Sequence, residues 1–300
     1  MTKLNTILKC KICKKKGKNI YQIFFNDKKI FKFFHKEYSL KIAKFLKLKL
    51  KNKKFILLKC KDCEFIWQKN APNKSFINKI YDQIIDRKKS FNKAMFKLSK
   101  KEIQKNKYEI SFIKCFLKKN ELNVLDFGSG WGEWLKSLEY LNVKRYGFEI
   151  SEIRKKYLKN IGVTVLDNKN LLKFKNYFDY IRLEQVLEHV DDLNFTMKNL
   201  SKVIKKGGVL FIGVPNGNSE INDNNIIIQK GPIQPLEHLN CFNNKSLRLI
   251  AKKYQFRSIS NLEIFINSLS YLNFNLISFK TFLKDNFLSI NNTRIRFVKI

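Results

Sequence analysis

Residues 123–135 read NVLDFGSGWGEWL, with Gly128, Gly130 and Gly132 at every second position of its centre. The whole chain of 300 residues holds only 11 glycines. Each would weaken a strand or helix interior, so the stretch makes a tight turn, lets something approach the backbone closely, or both. NVLDF (123–127) has the pattern of a strand and EWLKSLEYL (133–141) that of a helix. The glycines then lie at a strand-to-helix turn, where a ligand can rest against bare backbone and the positive end of a helix. A dinucleotide fingerprint needs G-x-G-x-x-G. Here the spacing is G-x-G-x-G and position 133 is Glu, a poor fit to that pattern.

Outward from the turn the chain alternates. Strand-like runs at RYGFEI (145–150), VTVL (163–166), FDYIRL (178–183) and GVLFIGV (208–214) are separated by segments of helical length. That is the pattern of a mostly parallel sheet covered by helices on both faces, an α/β fold. Upstream, APNKSF (71–76) reads as a linker entering a helix with Asn73 as its cap. From there to 119 the apolar residues recur at helical spacing (Phe76, Ile77, Ile80, Tyr81, Ile84, Ile85), predicting two or three helices. Residues 217–240 are polar with Gly and Pro and read as a long loop or lid. A helix at 244–254 and strands at 256–260 and the RIRFVKI end follow.

The string Asp126-Phe-Gly128-Ser129-Gly130-Trp-Gly132 resembles the first motif of class I S-adenosylmethionine-dependent methyltransferases. Glu149 ends the next strand about 20 residues on, where an acidic side chain can accept bonds from both ribose hydroxyls. Residues 178–216 are similar to that family's fourth strand, following helix, Gly-Gly turn and fifth strand, and the resemblance covers about 120–260. It implies a Rossmann-like sheet and S-adenosylmethionine as cofactor. Gly128, Ser129, Gly130 and Gly132 would line its amino-acid and ribose end, Asp126 would steer the turn or the ammonium group, and Glu149 would hold the ribose. Asp167 or its neighbour Asn168 would meet the adenine amine, and Glu184 with Gln185 would lie at the rim facing the sulfonium. His189, in VLEHVDD, and His238, in PLEHLNCF, match segments above the sulfonium and are the catalytic candidates. The expected base is His238, carried by the 217–240 loop with a pKa near the ordinary 6.5. The competing reading of each His is a packed or capping residue, and His35 reads as structural.

Cys10-Lys-Ile-Cys13 and Cys60-Lys-Asp-Cys63 are two C-x-x-C knuckles, and four thiolates can close a tetrahedral zinc site. The 46 intervening residues exceed the 15–20 of a compact ribbon, so the site would clamp a long insertion. The run from Ile56 through Tyr81 resembles the second knuckle and exit of an N-terminal zinc-binding domain fused to methyltransferases acting on sugars and related metabolites. It departs from that pattern at Glu64, where Gly is usual, and at its Ala-Pro turn. Such a zinc is structural, since four thiolates leave no open position. Cys115 and Cys241 read as buried apolar residues. The expected organisation is a zinc-binding domain at 1–72, a helical segment at 73–119 and a methyltransferase domain at 120–300.

Charge alone does not decide the partner. The chain carries a formal +36, but only eight of its 61 basic residues are Arg, the better residue for bidentate phosphate contacts. A small-molecule methyl acceptor, such as a nucleotide-linked sugar or surface-polysaccharide precursor, is therefore expected ahead of nucleic acid. An RNA methyltransferase gripping phosphate with its lysines, or a non-catalytic zinc-bearing module, are the alternatives. No apolar run reaches membrane-spanning length and the first residues lack a secretory signal, so the cytoplasm is the expected location.

Overall fold

The computed structural model describes residues 4–73, 75–76, 87–96, 98–217, 221–222, 225–226, 228, 231–260, 262–263, 266–267 and 292–300. Ile77, Ile80, Tyr81, Ile84 and Ile85, expected on a helix, lie outside the described residues.

The core is a seven-stranded sheet of β6 (Leu122–Phe127), β7 (Val143–Phe148), β8 (Thr164–Leu166), β9 (Phe178–Glu184), β10 (Ile204–Pro215), β14 (Phe256–Ser258) and β15 (Asn292–Lys299). Their spatial order is β14-β15-β10-β9-β6-β7-β8. The pairs from β10 through β8 are parallel, and β15 runs antiparallel between β10 and β14. The order reverses between β6 and β9. Open α/β sheets bind ligands at such a switch point, outside the carboxyl ends of the strands.

Alternation along the strands builds two apolar faces. Leu125, Ile181, Leu183, Leu210 and Ile212 join one buried cluster, which also takes in Leu200 and Met197 from α7 (Leu193–Val203) and Leu247 and Ile250 from α8 (Asn244–Lys253). Val124, Tyr180, Val209 and Phe211 point the other way, onto Ile110 and Ile113 of α4 (Lys100–Leu117). Helices thus cover both faces. Ser99, Asp192 and Asn243 cap α4, α7 and α8 by accepting the Glu102, Phe195 and Ser246 amide hydrogens, each satisfying a donor that the first turn leaves unpaired. Asn73 acts as expected, its Oδ1 accepting from the Phe76 amide at 2.9 Å.

The helix after the glycine turn is shorter than the sequence suggests. Only α5 (Glu133–Lys136) is helical. Ser137 Oγ donates to the Trp134 carbonyl at 2.6 Å, and the Leu138 and Glu139 amides donate three residues back, so the chain tightens into successive turns.

The N-terminal part pairs β1 (Leu4–Thr6) with β5 (Asn70–Pro72), and builds a second sheet from β2 (Gly17–Phe24), β3 (Lys54–Cys60) and β4 (Ile66–Gln68). Helices α1 (Lys28–Glu37) and α2 (Leu40–Lys49) form the insertion between the knuckles. This sheet is not closed within residues 1–72. Its fourth strand is β13 (Asn240–Cys241), which pairs with β4 through Asn240–Trp67 and Cys241–Ile66. Between β10 and β13, the short strands β11 (Ile221–Asn222) and β12 (Asn225–Ile226) make a hairpin in the expected loop. Cys10, Ile12, Phe65 and Trp67 share one apolar cluster with Leu125, Leu183 and Phe242. Helix α3 (Arg87–Phe96) crosses to the glycine turn, with Phe91 packed edge-on to Trp131 at 5.1 Å.

Candidate functional site

All three glycines of the turn have left-handed φ, +81°, +58° and +72°. Two are close-packed. A Cβ on Gly128 would stand 2.6 Å from Val186 Cγ2, and one on Gly132 would stand 2.5 Å from Leu158 Cδ2. A Cβ on Gly130 would meet nothing within 4 Å among the described residues. The turn therefore needs glycine on both sides for packing, while its middle opens onto free space. Ser129 is buried beneath, its amide and Oγ both facing the Phe148 carbonyl.

Glu149 leaves the end of β7 and reaches this turn. Its Oε2 accepts from the Gly130 amide at 3.0 Å, its Oε1 accepts from the amides of Ile150 and Ser151, and Arg154 stands 3.7 Å away. Asp167, past β8, accepts from the Lys169 amide and pairs with Lys155 at 3.3 Å. Those contacts, the amide first, hold its carboxyl below the usual range despite some burial. Asn168 is exposed. Gly130, Glu149 and Asp167 thus follow the ends of adjacent strands, and Trp131 and Tyr157 with Phe91 make an aromatic shelf beside them. With α5 only one turn long, a ligand here would meet the bare backbone at Gly130 and the Glu149 carboxylate in place of a long helix dipole.

Asp126 and Glu184 lie on the α4 face in a buried charge network that sequence reading missed. Arg182 is its centre, 3.5 Å from Asp126, 3.7 Å from Glu184 and 3.8 Å from Glu109. Arg294 holds Glu184 at 3.0 Å, and Trp134 and Tyr180 donate to Glu109. Burial pushes the Asp126 carboxyl up to about 7 against the opposing pull of Arg182. Burial also raises Glu184, but Arg182 and Arg294 outweigh it and leave that carboxyl below its usual range. The signal was present: a charged residue inside the apolar strand FDYIRLE needs a buried partner. Gln185 adopts φ 57°, turning the chain sharply after β9.

His189 and His238 come together, their rings edge-on with centroids 4.7 Å apart. His189 Nδ1 lies 3.0 Å from the Glu237 carbonyl. The expectation of a His238 base on the 217–240 loop with a pKa near 6.5 is corrected here in its pKa. His238 is only 4% exposed, wedged between the core and the N-terminal sheet. Gln68 of β4 donates to the carbonyls of Gln234 and His238 and accepts from the Leu236 amide, and the hydroxyl of Tyr38, just past α1, donates to the Glu237 carboxylate. Burial drives His189 down to about 4, and burial together with the His189 neighbour drives His238 well below 6.5. Both imidazoles are neutral at physiological pH.

The four knuckle thiols converge. Cys10 and Cys63 sulfurs are 3.5 Å apart, Cys13 and Cys60 3.3 Å, Cys13 and Cys63 3.8 Å, and none is in a disulfide. Ligands about 2.3 Å from a tetrahedral zinc would be separated by about 3.8 Å, so the donor set fits the ion. Glu64 has φ 59°, which accounts for Gly being the ordinary residue there. Its carboxylate is held by Lys245 at 2.6 Å, tying the second knuckle to α8. Cys241 is buried, as expected, and Cys115 is half-buried.

Among known proteins, the methyltransferase-domain family matches residues 91–261. A ubiquinone biosynthesis O-methyltransferase from Pelagibacter ubique is 30% identical over 102 residues, which is 32% of this chain and 42% of that protein. The chain thus spans less than half the length of this curated relative. Among solved structures, an S-adenosylmethionine-dependent methyltransferase from Aquifex aeolicus aligns with 56% of this chain and 89% of its own, at 20% identity and a TM-score of 0.42. One from Mesorhizobium loti aligns with 60% and 92%, at 11% identity and a TM-score of 0.41. These scores are low, and membership rests on the sequence match across more than half the chain. No described helix is long and apolar enough to cross a membrane. The chain belongs to the methyltransferase domain family.

Proposed function

We propose that the protein methylates a small molecule, with S-adenosylmethionine seated against Gly130 and Glu149. The observation that carries this reading is the pairing of an open backbone position at Gly130 with a buried carboxylate 3.0 Å from its amide, at the end of adjacent parallel strands. The carboxylate suits a ribose diol, and Asp167 or Asn168 would meet the adenine. Gly128, Ser129 and Gly132 would shape the turn. Asp126 would act from below, with Glu184 at the rim.

When bound, the cofactor supplies an electrophilic methyl group. The residues of this chain have to align the acceptor in line with it, exclude water and manage the acceptor's proton. His238 and His189 are assigned to the acceptor side. As neutral imidazoles they have a lone pair to offer, but their depressed pKa values make them weak bases. The ring-bearing segment is held by Gln68 and Tyr38, so the N-terminal part would shape the acceptor site as well as carry a structural zinc on Cys10, Cys13, Cys60 and Cys63.

The lysine-rich, arginine-poor surface supports a small acceptor over nucleic acid. The O-methyltransferase relative makes a hydroxyl acceptor one chemistry to try, beside nucleotide-linked sugars. Transfer of labelled methyl groups to panels of nucleotide sugars, phenols and bulk RNA tests this directly. Labelling confined to RNA, falling steeply with salt, would overturn the small-molecule reading.

A further inference from the structure

Glu188 follows β9 by four residues and is 1% exposed. Among the described residues, neither of its carboxylate oxygens has a hydrogen-bond partner. A buried carboxyl left without any partner costs stability, so its presence calls for a ligand or a cation. The groups beside it are two imidazoles. His189 Nε2 lies 4.0 Å from Glu188 Oε1, and the buried Nδ1 of His238 has no hydrogen-bond partner among the described residues. One donor atom from each of the three residues falls within 4.8 Å of the others.

The backbone around these donors is held from several directions. Asn240 Nδ2 donates to the carbonyls of Leu187 and Val190 on either side of Glu188 and His189, and its amide donates to the Glu188 carbonyl at 3.1 Å. His189 Nδ1 sits against the Glu237 carbonyl, which directs its Nε2 towards Glu188. A ring nitrogen donating to a backbone carbonyl, with the other turned to the ion, is the usual arrangement of a metal-binding His.

We propose that Glu188, His189 and His238 form a binding site for a first-row divalent transition-metal ion, made of different residues from the four-cysteine cluster. Two imidazoles and one carboxylate suit zinc, iron, cobalt or nickel, whereas magnesium and calcium favour all-oxygen sites. Metal–ligand bonds of about 2.1 Å require the three donors to draw in by about an ångström, a rotamer-scale adjustment. The ion would supply the counter-charge that Glu188 lacks. Its consequence for catalysis rests on the acceptor-side assignment above. With a cation present, His238 and His189 are ligands, and the acceptor's hydroxyl is acidified by the ion in place of an imidazole base.

The test is titration of the full chain with Co2+ after dialysis against a mild chelator, followed by calorimetry and visible absorption. Thiolate-bound cobalt shows intense sulfur charge-transfer absorption, whereas nitrogen and oxygen ligands give only weak bands. Wild type should take up about one equivalent of the second kind, as three ligands around one ion require. Glu188→Gln keeps the shape and should weaken that uptake by at least about 100-fold, more than the 10- to 100-fold of an outer partner. Only thiolate-type uptake by wild type, or unchanged uptake by Glu188→Gln, would overturn the site. Should Glu188→Gln not fold, the wild-type titration and His238→Gln decide by the same criteria. S-adenosylhomocysteine binding, measured on the same samples, reports separately on the methyltransferase reading.

Discussion

The carboxylate of Glu149 bridges two strand ends, accepting from the Gly130 amide at 3.0 Å while also accepting from Ile150 and Ser151. Those three amides preposition it in the glycine turn. Glu149→Gln keeps the volume but removes the charge and one acceptor. It should weaken S-adenosylhomocysteine binding by about 10- to 150-fold, the equivalent of about 1.5–3 kcal/mol for a hydrogen bond to a charged group. Calorimetry on protein with an unchanged circular dichroism spectrum checks this.

The three glycines should differ in stability when substituted. Gly132→Ala meets Leu158 at 2.5 Å and Gly128→Ala meets Val186 at 2.6 Å, in addition to left-handed strain at each. Each should cost about 1–3 kcal/mol more than Gly130→Ala, where the strain is present but the space is open. Denaturant midpoints measure it, and equal costs at all three would remove the distinction drawn between packing and opening.

The zinc reading couples two parts of the chain. Purified without chelator, the protein should carry about one zinc on its cysteines, and Cys60→Ser should lose it. Because β13 pairs with β4, and Gln68 holds the 234–238 segment, the loss should also raise amide exchange around residues 234–241. Cofactor affinity should change little, since the glycine turn is on other strands. A metal-free preparation with full protection at those amides would contradict the coupling.

Asp126 predicts a pH dependence. Its folded pKa, raised by burial to about 7, lies above the ordinary 3.8. The stabilisation from holding it protonated is complete below about 3.8 and is lost as pH rises through 7. Asp126→Asn should remove this downward slope, so the variant gains on wild type between pH 4 and 8. Thermal melts across that window read the difference, and parallel pH curves would count against it.

The glycine turn, Glu149 and the strand order of motifs were legible because each depends on a few neighbouring residues with a fixed local geometry. The knuckles were legible for the same reason. What escaped was set by long-range pairing. Nothing in NCF (240–242) announces that Asn240 and Cys241 complete a sheet begun at Gly17, and a two-residue strand has no period to read. The depressed imidazole pKa values likewise follow from burial against Gln68 and the core, which the polar composition of 217–240 hides. Arg182 and Glu188 were missed differently: each is a charge within an apolar context, legible as an anomaly but with partners far away in sequence.

The central claim is that a ligand rests on the open backbone at Gly130. Gly130→Val puts a branched side chain where a Cβ meets nothing within 4 Å among the described residues, at a left-handed φ that adds strain. Isothermal titration of S-adenosylhomocysteine into folded wild type and Gly130→Val measures the claim most directly. Wild type should bind one molecule per chain and Gly130→Val at least about 100-fold more weakly, the equivalent of about 2.7 kcal/mol. Equal affinity in the two, with the variant folded, would contradict it.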